Sequence, residues 1–409
     1  MKRTIYFIAA SLTLVLTALT GCTDVNKETA YDGQLHSLVV TAAYPAEYAS
    51  FARAGVTVKV EDINRGNSYQ APTDADGVAR FSLTSGLYRV GISDRDGQDV
   101  FNGVADLVKL TPATLLADGT LPLSVPLTHS KAGSIVIKEI YSGGCSRAPL
   151  QGTYQFDQYI ILHNNDSQTQ YLDSLCLGTY APGNAFANND WAKDNVLPDF
   201  APIYGAIWQF GGTGQSHPLA PGEDAVIAIG GAINHETSFP LSVNLNKPGY
   251  YVCYNSVLFN SSSYHPAPGD QIQTDHYLNV VVKIGIANAY SLSITSPAVA
   301  LFRAQGQTIQ DFVNTTGNIV LEPSSGAKVP LDWIVDGVEV FSGTSSNNKK
   351  RIQAGIDAGY VTLDVTYMGH VVARKVDEDA TAEAGYEVLE DTNNSSSDFE
   401  KRDVQTLHE

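Results

Sequence analysis

The chain has 409 residues, with 25 Lys+Arg against 43 Asp+Glu for a formal charge of −18, and 35 glycines. So acidic a surface repels phosphate polyanions, which argues against nucleic acid and anionic lipid headgroups as partners. Gly, Ser, Thr, Asn and Tyr are abundant while Lys and Glu are modest, a mix that favours strands joined by turns, and the length suffices for two or three domains.

Lys2 and Arg3 precede an apolar run from Ile5 to Leu19. At about 15 residues the run is shorter than the roughly 20 needed to span a hydrocarbon core, and it reads as a secretory signal. Leu19-Thr20-Gly21-Cys22 has the form of a lipobox, where a small residue precedes a Cys whose thiol is acylated, with palmitate among the acyl groups, before cleavage. The mature chain is expected to begin at Cys22 and to hang from a membrane by lipid. Removing residues 1–21 moves the formal charge from −18 to −20. Residues 22–34 are polar and read as a flexible tether.

Residues 35–129 form the first unit. Leu38-Val39-Val40 starts a strand, and Val56-Thr57-Val58-Lys59-Val60 alternates with period two, the mark of a half-buried strand. Thr73-Asp74-Ala75-Asp76-Gly77 is a turn, because Asp accepts from its own backbone two residues on and Gly allows positive φ. Val78–Leu83 and Gly86–Ile92 alternate again, and Asp94-Arg95-Asp96-Gly97 closes that hairpin. Short strands at near-regular spacing mean a β-sandwich. The order "AGVTVKVED", "TDADGVARFSL", "GLYRVGISD" resembles the carboxypeptidase regulatory-like, prealbumin-type sandwich, which implies a support module without catalysis. Asp74, Asp76, Asp94 and Asp96 lack the closing Glu of a twelve-residue calcium loop, so turn chemistry explains them better.

The second unit, residues 130–375, opens with a strand over 133–141 and another over 157–165. Tyr171-Leu172-Asp173 re-enters after a turn, and Leu219-Ala220-Pro221-Gly222-Glu223 leads into the apolar strand 224–229. This order is similar to the lamin-tail type of immunoglobulin-like sandwich, with Ile161 standing where that pattern usually has Glu. Cys176 to Gln215 and Asn255 to His276 show little periodicity and read as long loops, the kind of segment that is usually functional. Strand returns over 278–286 and 299–302, Gly343 to Lys350 reads as a polar loop, and Ile352 to Met368 reads as closing strands. Residues 376–409 form an acidic C-terminal segment too polar to be called core; from Lys375 to Glu409 there are eleven acidic and three basic residues.

"SIVIKEIY", "DQYIILHNN", "HPLAPGEDAVIA", "AINH", "KKRIQAGIDAGY" and "EDTNNSSSDF", in that order, resemble a family of Bacteroidota-type outer-membrane lipoproteins of uncharacterised function. Asp24 and Glu28 make the tether mildly acidic, which resembles the surface-export tether of such lipoproteins. The resemblance implies a lipid anchor in the outer membrane, with the chain on the cell surface and the periplasmic face as the alternative. It also implies that "EDTNNSSSDF" docks onto the fold. It lends no activity.

No Gly-x-Ser-x-Gly elbow, P-loop or helix-opening G-x-G-x-x-G occurs. Ser142-Gly143-Gly144-Cys145-Ser146 holds a thiol and His163 follows, but a Cys–His nucleophile needs a spatial pair and a lowered thiol pKa. Cys145, Cys176 and Cys253 allow at most one disulfide, whose pairing stays open. His235-Glu236 lacks the second His of H-E-x-x-H, and His265 and His276, which a transition metal or haem iron would need together, read as exposed loop residues. No metal and no cofactor is expected, and Lys349-Lys350-Arg351 reads as a solvated loop end. The candidate binding residues are Trp191, Trp208, Tyr264, His265 and His276, since binding groups concentrate on loops held by a rigid scaffold.

The expectation is therefore an all-β protein of two Ig-like or prealbumin-like sandwich domains in tandem, the second larger and long-looped. It is expected to be a non-catalytic, surface-anchored binding or accessory protein. Its partner would be a TonB-dependent transporter, on the strength of the family type, or a surface ligand such as a glycan. A surface hydrolase acting on glycan or peptide is the competing reading.

Overall fold

The computed structural model describes residues 33–408 except Asn195 and Pro323; the signal, Cys22 and most of the tether lie outside the described residues. The first unit holds β1 (Leu35–Ala43), β2 (Thr57–Asp62), β3 (Ser68–Pro72), β4 (Val78–Thr84), β5 (Gly86–Asp96), β6 (Asp99–Leu110), β7 (Thr120–Pro126) and β8 (Thr128–Lys131). They form a three-stranded sheet, β4-β1-β7, and a five-stranded sheet, β3-β2-β5-β6-β8. β1 runs antiparallel to β4 and parallel to β7. Alternation decides which face is inside: Leu38, Val40 and Ala42 of β1, Val58 and Val60 of β2, and Tyr88, Val90 and Ile92 of β5 all meet in one apolar core. β8 places the end of this unit at Lys131.

The turn before β4 forms as its residue types require. Asp74 Oδ1 accepts from the N–H groups of Asp76 at 3.1 Å and Val78 at 3.0 Å, and Gly77 takes φ +72°. The other Asp74 oxygen meets Arg80 at 2.7 Å, while Asp94 is held by Tyr44 and Arg53. Asp96 lies 3.5 Å from Arg53, so Asp74, Asp94 and Asp96 serve the turn or ion pairs and Asp76 joins the turn through its N–H.

The second unit is a larger sandwich. Its six-stranded sheet includes the strands Ile135–Tyr141, Tyr159–Asn164, Asp224–Ala228 and Val371–Arg374. Its eight-stranded sheet includes Cys176–Tyr180, Phe200–Gln209, Ala298–Phe302, Gly326–Pro330 and Ile334–Ser342. Between the sheets lies a core with Ile137, Ile160, Leu162, Leu177, Trp208, Val299 and Val340. A second apolar layer covers the outside of one sheet, with Tyr141, Tyr159, Ile161, Val226 and Ala228 under Val243, Leu245 and Ile272. A third covers the other, where Ile203, Ile207 and Phe302 meet Phe312, Trp333 and Ile352. Strands buried on both faces have no in–out alternation, as in Ala298–Phe302, which is apolar throughout, and Tyr159–Asn164, where the buried polar residues His163 and Asn164 are hydrogen-bonded.

Two expectations change here. Cys176–Gln215 is not a continuous loop: it contains the strands Cys176–Tyr180 and Phe200–Gln209, which pair with each other. Nor is Lys349-Lys350-Arg351 simply solvated. Lys349 is exposed, but the Arg351 guanidinium is buried and meets Glu339 Oε1 through Nη2 at 2.6 Å and Nε at 2.8 Å. The backbone N–H groups of Arg351 and Ile352 donate to Glu339 Oε2 at 2.7 and 3.0 Å, so the buried carboxylate is both neutralised and fully hydrogen-bonded.

The acidic C-terminal segment is interior in part: the helix Glu378–Ala384 has no buried residue, whereas Leu389, Asp391, Ser395, Asp398 and Phe399 are buried. Phe399–Arg402 pairs with Val371–Arg374 at the sheet edge. Arg374, buried, meets Asp336 at 2.8 Å, Asp391 at 3.0 Å and Asp398 at 3.5 Å, and its Nε donates to the Ile137 carbonyl at 2.9 Å. Burial alone would lower the Arg374 pKa, yet the three carboxylates outweigh it and hold it above its ordinary value. One cation among three acids leaves excess negative charge, and burial pushes Asp398 up to about 7 and Asp336 upward as well.

"EDTNNSSSDF" is also the seam between the units. Asn102 Nδ2 donates to the Thr392 carbonyl at 2.5 Å, Asn393 Nδ2 to Ser130 Oγ at 2.8 Å, and Asn394 Nδ2 to Ser93 Oγ at 2.7 Å. On the other side, Asp391 Oδ2 accepts from Gly133 N–H at 2.7 Å, while Asp357 accepts from Ser395 N–H at 2.8 Å and Oγ at 2.6 Å. A segment rich in short polar side chains forms this seam because each supplies a donor or acceptor close to the backbone.

Candidate ligand groove at Trp191

Trp191 lies between the strands Cys176–Tyr180 and Phe200–Gln209 and is half-buried. Several ties fix its loop. Its backbone N–H donates to Asn189 Oδ1 at 3.2 Å, and Ser324 Oγ donates to Asp190 Oδ2 at 3.0 Å. Lys193 and Val196 exchange backbone hydrogen bonds of 3.0 and 2.8 Å, and Gln353 Nε2 donates to the carbonyls of Pro198 and Phe200 at 2.8 Å each. The indole meets Phe200 edge to face at 5.6 Å and lies over Gly326, where a Cβ would stand 3.1 Å from its Cζ2.

These residues border a cavity of about 520 Å³, lined by Trp191, Phe200, Val196 and Leu197 and edged by the charges of Asp190, Lys193, Asp199 and Lys328. The Lys328 ammonium sits 5.6 Å from the Phe200 ring centre, a cation–π contact. A neighbouring cavity of about 200 Å³ shares Asp190, Trp191 and Ser324 and adds Asn188 and Tyr204. Val196 and Leu321 are 68% and 64% exposed.

The other candidate residues sit elsewhere. Trp208 has no exposed surface; its strand places it in the central core, stacked on Phe259 at 5.5 Å and beside Tyr290 at 5.3 Å, so it is a core residue and not a binding-loop residue. His265 is also buried: it stacks on Tyr254 at 5.2 Å, its Nε2 accepts from Asn255 N–H at 3.2 Å, and burial pushes its pKa down to about 4. It is neutral at pH 7 and braces its loop from inside. His276 stacks on Tyr251 at 4.3 Å, with Nδ1 3.2 Å from the Tyr250 carbonyl. The two histidines have separate partners and do not form a pair. Tyr264 is half exposed, packs against Phe156 at 4.9 Å and borders a cavity of about 310 Å³ with Gln155, Gln158 and Tyr290.

The groups weighed for catalysis are likewise apart. The three described cysteines are free and buried. The Cys145 thiol faces Asp157 at 3.5 Å, and burial beside that carboxylate pushes its pKa up to about 12, the reverse of an activated thiolate. His163 Nδ1 instead meets Asp224 Oδ1 at 2.7 Å, and Nε2 lies 3.0 Å from the Glu387 carbonyl. His163, Asp224 and Glu387 form, among the described residues, a trio with metal-ligand spacing. The Lys138 ammonium already bridges its two carboxylates, at 2.6 Å to Asp224 and 2.5 Å to Glu387, so the trio is a hydrogen-bonded ion network with its cation supplied by the chain. Phe200 and Lys328 were invisible as site residues in the sequence, since only the pairing of Phe200–Gln209 with Gly326–Pro330 brings them together.

A family profile described as "Protein of unknown function (DUF4876)" matches residues 220–406. No curated protein matches the chain. Among solved structures, the full-length major pilin SpaD of Corynebacterium diphtheriae is matched at 13% identity and a TM-score of 0.20, over 43% of this chain and 49% of that one. The crystal structure of a DUF4876 family protein from Bacteroides thetaiotaomicron is 25% identical with a TM-score of 0.57, over 90% of this chain and 95% of that one. The chain is therefore similar, across nearly all of that Bacteroides protein, to a member of a family without an assigned function.

Proposed function

We propose that this protein is an outer-membrane lipoprotein, anchored through acyl chains on Cys22 with its folded part on the cell surface, and that it is a non-catalytic accessory component of a TonB-dependent uptake system. The Trp191 groove is its contact surface for the transporter. What carries the reading is a half-buried Trp on a loop tied down at both ends, over a cavity of about 520 Å³. An apolar centre within a rim of mixed charge is the anatomy of a protein interface, and Trp is among its commonest anchors. The occupant is accordingly an exposed apolar segment of the transporter.

Two measurements test this. Acyl chains contribute about 0.8 kcal/mol per buried CH₂, so Cys22→Ala should move the protein from the membrane pellet to the soluble fraction after a high-salt wash. A variant that still sediments contradicts the anchor. Extraction in mild detergent should then bring a transporter along with the wild type and not with Trp191→Ala.

A further inference from the structure

The cavity between the two units, about 520 Å³, is separate from the Trp191 groove. Its floor is the outward face of the first unit's five-stranded sheet and its wall comes from the second unit, through Phe341, Tyr360 and Ser397 among others. Gly91 sits in that floor. It pairs with Lys59 on one side and Val104 on the other, in the middle of β5, between the core residues Val90 and Ile92. Its φ is not left-handed, and a Cβ added there would meet no atom within 4 Å. A register shift in the β5–β6 pairing falls between Tyr88 and Val90, but the pairs of Gly91 itself are regular, so neither its own backbone conformation nor packing asks for glycine, and glycine inside a strand weakens it. A mid-strand glycine with open space above it marks the close approach of something else.

The cavity's chemistry narrows what that is. Most of its charged groups are engaged within the protein: Lys59 pairs with Glu61 at 2.7 Å and Arg89 with Asp106 at 2.5 Å, while the Lys350 ammonium donates to the Asp357 carbonyl at 2.8 Å and lies 3.9 Å from Glu339. Hydroxyls and amides make up much of the rest, with Thr57, Gln70 and Ser397 on the lining. Tyr360 supplies a fixed ring, stacked on Phe341 at 4.1 Å and 17° and held by Arg89 Nη1, which donates to its hydroxyl at 3.0 Å. The volume and the position at a domain interface are those of small-ligand sites.

The geometry points to a binding site for a neutral saccharide in this cavity, with the sugar backed onto Gly91 and bordered by Tyr360. With two ion pairs and a Lys350 ammonium tied to a backbone carbonyl, the lining offers an anion only a weak field, and hydroxyl and amide partners suit a ligand that is itself hydroxyl-rich. The inference does not rest on the Trp191 groove, and the two fail independently.

The test is isothermal titration of the full-length protein in detergent with neutral gluco-, manno-, xylo- and galacto-oligosaccharides, with a heparin fragment as the charged comparison. At least one neutral oligosaccharide should bind the wild type. Gly91→Val should weaken that binding by about tenfold or more, because the side chain fills the space above the strand, and its melting temperature should match or exceed that of the wild type, because Val suits a strand. Gly91→Ser, which fills less space, should weaken binding less. Trp191→Ala should bind the saccharide as the wild type does. Binding of the heparin fragment alone, no binding of any neutral oligosaccharide, or unchanged affinity in Gly91→Val overturns the proposal. A fall in the melting temperature of Gly91→Val also overturns it, since the space would then belong to packing.

Discussion

The two units solve burial in different ways. In the first, each sheet has one packed face over most of its area, and strands such as β5 alternate core with surface, every second residue from Tyr88 to Ile92 being buried; β6 departs from this at Val100–Gly103, which lie under the seam. In the second, each sheet is covered on both faces, and central strands such as Tyr159–Asn164, Cys176–Tyr180 and Ala298–Phe302 are buried throughout. Covering the outer faces takes long connections, and those connections contribute polar and charged groups to the interior: Arg351 on Glu339, Ser395 on Asp357, and Asp391 and Asp398 on Arg374. A half-wet sheet is specified by its period; a covered sheet is specified by which buried charges find partners.

The largest test of that contrast is Arg374→Ala. It leaves Asp336, Asp391 and Asp398 without their cation, and breaking a buried pair by removing one partner costs about 3–5 kcal/mol. Denaturant unfolding should register a loss of that size, and a change below about 1 kcal/mol would mean that the cluster does not organise the second unit. Trp208→Ala should cost a similar amount, about 3–5 kcal/mol, as truncation of a large side chain in a packed core does.

Gly77→Val probes the first unit through its turn. The position has room for a side chain, with the nearest atom to an added Cβ at 3.6 Å, so the penalty comes from φ +72° alone. A loss of about 1–3 kcal/mol is expected, in line with the cost of a strained backbone residue. A neutral result would show that the turn relaxes without disturbing β4.

A separate effect is pH dependence, which should belong to the second unit. Burial holds Asp398 at about 7, above its ordinary value of 3.8, and Asp336 is raised too. Between about pH 4 and 7 the folded state therefore keeps protons that the unfolded chain has lost, so stability falls as pH rises through that window. Asp173 and Asp364 act oppositely: burial opposes ionisation, but N–H donors on Asp173 and His370 on Asp364 outweigh it and hold both at about 2. Their contribution is present above about pH 4 and is lost as pH falls toward 2. The melting temperature should peak near pH 4–5 and drop by several degrees by pH 8. Asp398→Asn should flatten the alkaline side of that curve, and an unchanged slope would remove Asp398 as its source.

How much of this was legible follows from the same contrast. The first unit's strands and its Asp74–Gly77 turn could be read because period and turn chemistry are local. The strand Phe200–Gln209 was missed because Pro202 and Gly205 interrupt it and both its faces are buried in part, so it lacks alternation. The burial of Arg351, Arg374 and Asp398 could not be read either, since a charged residue looks like surface until the fold supplies its partner. At the candidate site, Trp191 was visible as an aromatic in a loop, while Phe200 and Lys328 needed the strand pairing to reach it. Trp208 carried the same sequence signal as Trp191 and belongs to the core.

That pair of tryptophans gives the most direct measurement. The central claim is that Trp191 is spent on a partner and Trp208 on the fold. Trp191→Ala and Trp208→Ala should be compared by thermal melt and by co-purification from membranes in mild detergent. Trp191→Ala is predicted to melt within a few degrees of the wild type and to lose the co-purifying transporter, whereas Trp208→Ala should lose stability outright. A Trp191→Ala protein that keeps both its melting temperature and its full complement of partners, or one that unfolds as Trp208→Ala does, would contradict the account.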